Sequence, residues 1–160
     1  MSAEPEVWRM RVELDRDLSA PVWPEGVSLR SFEAGDAQRL HALLAHGYRH
    51  GGGSVDPFEL WLPQLAEDDE FDPEVCFLAE AEHELAGAAI CWTSAFVKDL
   101  VVHESWRGRG LGEALLRHAF LTFRRRGAER MDLKVQSPNL GAIRLYERVG
   151  MRIVERLPAG

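Results

Sequence analysis

A glycine-rich run between a predicted strand and a predicted helix constrains the fold of this chain more than any other feature. The run reads Arg107, Gly108, Arg109, Gly110, Leu111 and Gly112. A strand pattern over residues 95–102 precedes it, and apolar residues at helical spacing over residues 110–126 follow it. A helix start presents free backbone N–H groups and the positive end of the helix dipole. The pattern therefore predicts a loop that binds an anion such as a pyrophosphate.

The same run also fits other kinds of structure. A tight turn with no ligand needs only the glycines. A dinucleotide-binding Rossmann turn usually has an acidic residue about 20 residues further along the chain, and Asp132 lies near that distance. However, residues 103–106 separate the strand from the loop, and the unit comes late in the chain, which disfavours a Rossmann turn. A Walker loop is excluded because no Gly-Lys-Ser/Thr ends the run.

Strand and helix patterns alternate along the rest of the chain. Residues 7–14 alternate apolar and charged side chains, which is typical of a half-buried strand. Further strands are predicted over residues 27–32, 75–81, 85–92, 131–135 and 151–157. Further helices are predicted over residues 57–66 and after two N-cap residues, Asp36 and Asn139. This alternation predicts an α/β fold with a mixed sheet.

Composition narrows the classes of function. With 160 residues, 46% of them apolar, the chain suits one domain with a buried core. A net charge of -7 argues against a nucleic-acid binder, which would normally be basic. Two cysteines far apart, Cys76 and Cys91, and the pair His46 and His50 are too few for a metal site, so no metal is expected. Since no signal or membrane-spanning pattern occurs, a cytoplasmic protein without membrane contact is expected.

Two blocks of residues, in their type, order and spacing, resemble the GCN5-related N-acetyltransferase (GNAT) superfamily. The first resembles its acetyl-CoA motif and comprises Leu100-Val101-Val102 and the run from Trp106 to Gly112, with Arg107 where the family often has Gln. The second resembles its Asn-to-Tyr helix and comprises Asn139, Leu145-Tyr146-Glu147 and Gly150-Met151. Within the superfamily, the run from Trp23 to Arg156 is similar to a single acyltransferase module of the mycothiol-synthase-like proteins, whose modules often occur in tandem.

The resemblance implies a GNAT fold, with a mixed sheet that is splayed at the acetyl-CoA site and flanked by about four helices. The domain is expected over residues 27–160, after an N-terminal strand and linker over residues 1–26. Relatives usually carry one more C-terminal strand. The strand pattern at residues 7–14 is therefore expected to complete the sheet, either on its own chain or on a second subunit, and the second case would make a homodimer.

The resemblance also implies acetyl-CoA as the acyl donor and assigns roles to named residues. The backbone of Leu100 to Val102 would pair with the pantetheine arm, and the N–H groups from Gly108 to Glu113 would hold the pyrophosphate. Asn139 would bind the donor near the pantetheine, and Tyr146 would face the sulfur. The residues expected to bind the donor are Leu100, Val101, Val102, Arg107, Gly108, Arg109, Gly110, Leu111, Gly112, Glu113 and Asn139.

The chemistry of acetyl transfer fits these roles. An amine that attacks a thioester directly generates an oxyanion, which a backbone N–H near Val101 or Val102 could stabilise. The leaving thiolate then needs a proton. Since a thiol has a pKa of about 8.5 and tyrosine one of about 10, Tyr146 stays protonated near neutral pH and can donate. Taken alone, Tyr146 would be interpreted as a core aromatic of an amphipathic helix.

The general base is open. Some relatives use an acidic residue on the strand before the Asn-to-Tyr helix, where this chain has Lys134. Asp99, on the strand beside the thioester, is the first candidate, although a strand-end carboxylate that faces solvent fits it equally well. Glu33 is a weaker candidate, and deprotonation through water needs no dedicated base.

These observations predict an N-acetyltransferase that moves an acetyl group from acetyl-CoA to an amine acceptor in a ternary complex. A second hypothesis is a non-catalytic module that binds acyl-CoA for regulation. Tyr146 favours the enzyme, whereas Lys134 slightly favours the binder. The acceptor cannot be identified from the sequence, although an acidic chain points to a cationic acceptor.

Overall fold

The computed structural model describes residues 5–137 and 139–158. The strands are β1 (Glu6–Glu13), β2 (Ser28–Ser31), β3 (Phe71–Ala81), β4 (Glu84–Trp92), β5 (Phe96–Val102), β6 (Arg130–Ser137) and β7 (Arg152–Pro158). The helices are α1 (Ala37–Gly47), α2 (Phe58–Glu67), α3 (Leu111–Arg125) and α4 (Leu140–Arg148). Short 3-10 turns cover Ala34–Asp36 and Glu104–Trp106.

All seven strands form one open sheet in the order β2-β3-β4-β5-β6-β1-β7. Neighbouring strands are antiparallel except β5 and β6, which run parallel because the long helix α3 connects them. The mixed sheet with its four helices confirms the predicted fold class.

The N-terminal strand lies inside the sheet and not at its edge. β1 pairs with β6 on one side and β7 on the other, so that Trp8 lies opposite Val135 and Arg156. Met10 and Val12 are 0% and 1% exposed in the core, as the alternation of residues 7–14 requires. The prediction that this segment completes the sheet is confirmed, and it does so on its own chain.

Helices cover both faces of the sheet. One core cluster packs α3 and α4 against the sheet and includes Phe120, Phe123 and Tyr146. The other packs α1 and α2 against the opposite face and includes Leu40 and Trp61. Burial of each large apolar side chain stabilises the fold by roughly 1.5–3 kcal/mol. The sheet therefore has a separate helical layer on each side of its centre.

Asp36 occupies the predicted N-cap position of α1, but its side chain does not cap that helix. Its carboxylate accepts hydrogen bonds from Arg30 (2.6 and 2.7 Å), from Arg39 (2.8 Å) and from the backbone N–H of Glu33 (2.8 Å). The prediction of a side-chain cap was wrong because a guanidinium from β2 binds the carboxylate more strongly than a helix N–H does. These contacts, the Arg30 bonds first, hold the pKa of Asp36 well below its ordinary value.

Among the helices that the structure describes, none is both long enough and apolar enough to cross a bilayer.

Candidate active site between splayed strands

The two parallel strands at the centre of the sheet separate soon after they meet. β5 and β6 pair only at Phe96 with Asp132 and at Val97 with Leu133. Beyond these pairs the strands diverge, so that the edge of β5 facing β6 keeps unpaired backbone groups. This separation is the predicted splay of the sheet, and it leaves room for a ligand between the strands.

A β-bulge at Lys98 sets which side chains face each side of the sheet. Ile90 lies opposite Asp99, whereas the next residue of β4, Cys91, lies opposite Val97, so Lys98 is the extra residue. As a result Val97 packs on the α3 side of the sheet, and Asp99 turns to the α1 side. Without the extra residue, Val97 and Asp99 would share one face.

The three residues predicted to contact the pantetheine lie on β5 beyond the bulge. Val101 is buried against α1 and α2, whereas Leu100 and Val102 pack on the α3 side. α1 approaches this strand closely, since a Cβ added to Gly47 would lie 3.1 Å from Cγ1 of Val101. Their backbone thus borders the gap between β5 and β6, where the resemblance puts the pantetheine.

A cleft of about 470 Å³ fills the gap. It is lined by both splayed strands, by the end of α1 and by α4, with Tyr48, Asp99, Lys134, Asn139 and Tyr146 among its residues. Residues from both faces of β6 line it, including Leu133 and Lys134, so the cleft passes through the plane of the sheet. A donor and an acceptor could therefore enter from opposite faces.

The glycine loop (residues 107–112) lies at the start of α3, next to this cleft. Gly108 and Gly110 have φ angles of +76° and +83°, and a Cβ added to either would meet open space, so their backbone conformation and not crowding favours glycine. Gly110 is the N-cap of α3, and the first helical hydrogen bond runs from the Ala114 N–H to the Gly110 carbonyl (3.0 Å). The N–H groups of Leu111, Gly112 and Glu113 therefore lie at the helix start, where an anion is stabilised.

The two arginines of the loop take different positions. Arg107 lines the cleft, and its Nε donates a long hydrogen bond to the Val102 carbonyl (3.4 Å). The guanidinium of Arg109 stacks over the ring of Trp106, 4.6 Å from its centroid. Arg107 is therefore the loop cation that faces the gap, and Arg109 packs against the turn that precedes the loop.

Glu113 puts a carboxylate in the first turn of α3, close to the predicted anion site. Its oxygens accept hydrogen bonds from Arg148 (2.7 Å) and from Arg117 (3.1 Å), and these bonds lower its pKa. Because two guanidinium groups offset one negative charge, Glu113 does not oppose an anion at the loop.

Tyr146 lies on α4, where it belongs both to the core and to the cleft wall. Only 9% of the residue is exposed, and burial raises the pKa of its hydroxyl to about 12. The interpretation as a core aromatic is confirmed, and the position at the cleft wall is compatible with the predicted role beside the donor sulfur, which stays a prediction. The phenol keeps its proton throughout the neutral pH range.

Asn139 is the N-cap of α4, as predicted. Its side-chain oxygen accepts a hydrogen bond from the Ala142 N–H (3.3 Å), and its Nδ2 would lie 3.5 Å from a Cβ added to Gly52. The side chain is exposed and lines the cleft. The helix start thus fixes the position of Asn139. Its side chain borders the space between α4 and the segment at residues 51–53, which follows α1.

Asp99 is not the solvent-facing carboxylate that the sequence left open. It is 9% exposed, accepts a hydrogen bond from the Tyr48 hydroxyl (2.7 Å), and forms an ion pair with Lys98 (2.8 Å). Burial first, and then the Asp99 charge, raise the pKa of Tyr48 above its ordinary value. Tyr48 therefore stays protonated and donates its hydrogen bond to Asp99. The Asp99 side chain lies at the cleft, where Tyr48 and Lys98 fix its orientation.

Sequence reasoning missed Tyr48 as a cleft residue, because it was the last member of the apolar stripe of α1. Its only signal was a hydroxyl at the end of that stripe. Gly53 packs against its ring, since a Cβ added to Gly53 would lie 2.7 Å from Cε1 of Tyr48. Glu33, the weaker base candidate, is exposed at the Ala34–Asp36 turn and lies outside the cleft.

Comparison with known proteins identifies relatives of this chain. The family model described as "Acetyltransferase (GNAT) family" matches residues 38–151. The mycothiol acetyltransferase of Thermobispora bispora is 34% identical in an alignment 161 residues long. The alignment covers 90% of this chain and 52% of that protein. The mycothiol acetyltransferase of Streptomyces coelicolor is 34% identical in an alignment 143 residues long. That alignment covers 84% of this chain and 45% of that protein. The chain thus spans about half the length of the curated relatives it matches.

Solved structures agree with the sequence matches. A GCN5-related N-acetyltransferase from Sphaerobacter thermophilus superposes with a TM-score of 0.84 at 30% identity, over 97% of this chain and 50% of that one. A tandem GNAT protein from the clavulanic acid biosynthesis pathway, at 17% identity, shares the fold with a TM-score of 0.72 over 98% of this chain and 53% of that one. The chain belongs to the acetyltransferase (GNAT) family, whose enzymes are N-acetyltransferases that use acetyl-CoA as the acyl donor.

Proposed function

We propose that this chain transfers an acetyl group from acetyl-CoA to an amine acceptor by direct attack in a ternary complex. The observation that carries the proposal is the cleft through the splayed sheet. The glycine loop lies beside this cleft, the Tyr48–Asp99 pair lines it from the α1 side of the sheet, and Tyr146 lines it from α4. The family's activity and this arrangement agree.

The donor side of the site supplies backbone groups. The free edge of β5 from Leu100 to Val102 can pair with the amides of the pantetheine arm, as a neighbouring strand would. The N–H groups at the start of α3 can bind the pyrophosphate, and the nearby Arg107 adds positive charge. A backbone N–H near Val101 or Val102 can then stabilise the oxyanion that forms when an amine attacks the thioester.

Tyr146 stabilises the leaving thiolate. Full transfer of its proton is uphill, because burial has raised its pKa to about 12 while a thiol has a pKa of about 8.5. The hydroxyl therefore acts first as a hydrogen-bond donor to the developing negative charge, and the thiolate can take its final proton from solvent. This role needs a protonated tyrosine, and burial ensures that state.

Asp99 is the proposed base. A primary amine with a pKa near 10.4 arrives mostly as an ammonium and must lose a proton before it attacks. The Asp99 carboxylate is held by Tyr48 and Lys98 on the acceptor side of the cleft, where it can accept that proton directly or through a water molecule.

We also propose how the chain is organised. Residues 27–160 carry the acetyltransferase site, and residues 1–26 supply β1, which completes its sheet. A cytoplasmic location and the absence of nucleic-acid partners stay predictions. A homodimer also stays a prediction, although β1 pairs within its own chain and therefore gives no reason for one. Mass measurement in solution and cell fractionation test them.

Thiol release from acetyl-CoA in the presence of a panel of amines tests the proposed function. Amines related to mycothiol belong in that panel, because the relatives named mycothiol acetyltransferases cover most of this chain. Release that depends on the amine and yields an N-acetyl product supports the enzyme. Tight binding of acetyl-CoA by calorimetry without release from any amine would support the non-catalytic module instead.

A further inference from the structure

The cleft has a charge opposite to that of the chain. The whole chain carries a net charge of -7. Four formally charged side chains line the cleft: the cations Lys98, Arg107 and Lys134, and the single carboxylate of Asp99. The acidity of the chain as a whole is therefore a poor guide to its acceptor.

Two of the three cations already have a role. The ammonium of Lys98 lies 2.8 Å from Oδ2 of Asp99, so those two charges offset each other. Arg107 lies beside the glycine loop, where its charge suits the phosphates of the donor. Lys134 is the third cation. Among the residues that the structure describes, no ion pair or side-chain hydrogen bond offsets its charge. Its side chain is exposed in the cleft.

The carboxylate nearest to Lys134 on its own strand, that of Asp132, is already bound by two arginines. Asp132 lies two residues earlier on the same face of β6, is 5% exposed, and binds Arg9 (2.6 Å) and Arg11 (2.8 and 3.0 Å). Arg9 itself lies directly opposite Lys134 in the β1–β6 pair. The next acid on that face, Glu155, lies opposite Arg9 one strand further away. Since like charges directly opposite destabilise a sheet, Lys134 is suited to a ligand that brings negative charge.

Lys134 and Asp99 lie on opposite sides of the gap, just beyond the last paired residues. Lys134 follows Leu133, and Asp99 follows the bulge after Val97, so the two side chains border the cleft at the same level. A ligand that reaches both therefore needs a basic group for Asp99 and an acidic group for Lys134. In addition, cations near a bound amine disfavour its ammonium form, which eases its deprotonation.

We infer that the acceptor is an amino acid or a similarly compact amine with a carboxylate, which Lys134 binds while the amine lies near Asp99. This inference rests on the proposed function, because it names the substrate class of the same site. It differs from the cationic acceptor that the net charge pointed to. The specificity-determining residue is Lys134, at the position where some relatives have an acid.

Matched acceptors with and without the carboxylate test this assignment: histidine with histamine, phenylalanine with phenethylamine, and alanine with ethylamine. The measured quantity is the ratio of kcat/KM for the two members of a pair. We expect the wild type to favour the carboxylate, and Lys134→Met to lower that ratio by about 10–100-fold, the loss typical of a charged hydrogen bond. Lys134→Arg keeps the charge and should retain most of the ratio. Arg152→Met removes a cation from the same sheet without touching the cleft, and it should leave the ratio unchanged.

Failure of this inference and failure of the proposed function give different results. If amines are acetylated but Lys134→Met leaves the ratio as in the wild type, Lys134 does not bind the carboxylate and the inference is overturned. If no amine is acetylated, the proposed function fails. Calorimetry of N-acetylhistidine and N-acetylhistamine with the CoA-bound protein then tests whether Lys134 binds a carboxylate. If it does, Lys134→Met must weaken the binding of N-acetylhistidine and leave that of N-acetylhistamine unchanged. Equal affinities in the wild type and the variant would reject the site.

Discussion

The Tyr48 hydroxyl donates a hydrogen bond of 2.7 Å to Oδ1 of Asp99, and this contact joins the end of α1 to the strand that borders the cleft. Lys98 binds the other carboxylate oxygen at 2.8 Å. Asp99 is thus held in one orientation by a neutral donor and a cation. An orientation fixed in this way suits a group that must accept a proton at a defined place.

Asp99→Asn should lower the rate of acetyl transfer by about 10²–10⁴-fold, the usual contribution of a general base. The amide keeps the shape of the side chain and can still accept a hydrogen bond from Tyr48, so acetyl-CoA affinity should not change. Single-turnover kinetics and calorimetry measure the two quantities. Tyr48→Phe is the matched control, because it keeps the carboxylate and should cost less. Full activity of Asp99→Asn would mean that water alone removes the proton.

Tyr146→Phe should slow the chemical step by about 10²–10³-fold, the loss typical of one hydrogen-bond donor to a developing negative charge, and leave CoA affinity nearly unchanged. Because burial raises the pKa of Tyr146 to about 12, the phenol is protonated below that pH and the wild-type rate should not fall between pH 7 and about pH 10 through its ionisation. A pH profile under conditions where chemistry limits the rate tests both points. Wild-type turnover by the variant would remove Tyr146 from the reaction.

Gly110→Glu should abolish acetyl-CoA binding, because it places bulk and negative charge at the helix start where phosphates would lie. Backbone strain is a separate effect, since Gly110 has a φ of +83°. Gly110→Asn serves as the control, because asparagine tolerates this backbone region better than other residues and adds no charge. Calorimetry should show a much larger loss for the glutamate variant than for the asparagine variant. Unchanged affinity in both would show that the loop does not hold the pyrophosphate.

Deletion of residues 1–15 should lower the melting temperature sharply and lead to aggregation. β1 lies between β6 and β7, so its loss exposes both strand edges and removes Arg9 and Arg11 from the buried Asp132. Since the deleted protein could fail to fold at all, Met10→Ala gives a milder test, with an expected loss of about 2–5 kcal/mol in the free energy of unfolding. Val22→Ala, at a site 83% exposed, is the control and should have little effect. A truncated protein with the same melting temperature and mass would contradict this role.

Acid should destabilise the fold through Asp36. Its pKa is held well below its ordinary value of 3.8, chiefly by hydrogen bonds from Arg30. The folded-state pKa is the lower one, so the stabilisation is complete above about pH 4 and is lost as the pH falls below that value. Asp36→Asn should lower the free energy of unfolding at pH 7 by about 1–3 kcal/mol and flatten the acid dependence.

Urea unfolding at pH 7, 4 and 3 measures both effects of Asp36→Asn. Asp17→Asn, at an exposed position, is the control and should match the wild type at each pH. An Asp36→Asn variant with the acid dependence of the wild type would show that other carboxylates dominate.

The order of the elements and the local geometry of the proposed donor side could be predicted from the sequence. The strand alternation of residues 7–14, the helical spacing after Gly110 and the cap at Asn139 are local patterns, and local patterns are set by backbone geometry within a few residues. The positions of Gly108 and Gly110 follow in the same way, because only their backbone conformation favours glycine there. Tyr146 was placed by its spacing from Asn139 on one helix.

The face of the cleft that carries Tyr48 and Asp99, the proposed acceptor side, was decided by tertiary structure. The place of β1 between β6 and β7 depends on pairings across more than a hundred residues, and no local pattern encodes which edge a strand joins. The bulge at Lys98 decides that Asp99 faces α1, and the packing of α1 on Val101 then brings Tyr48 to it. In the same way, the Asp36 side chain binds Arg30 and does not cap its helix. Burial and charge pairing between distant segments select these contacts, and both arise only when the segments come together in the folded chain.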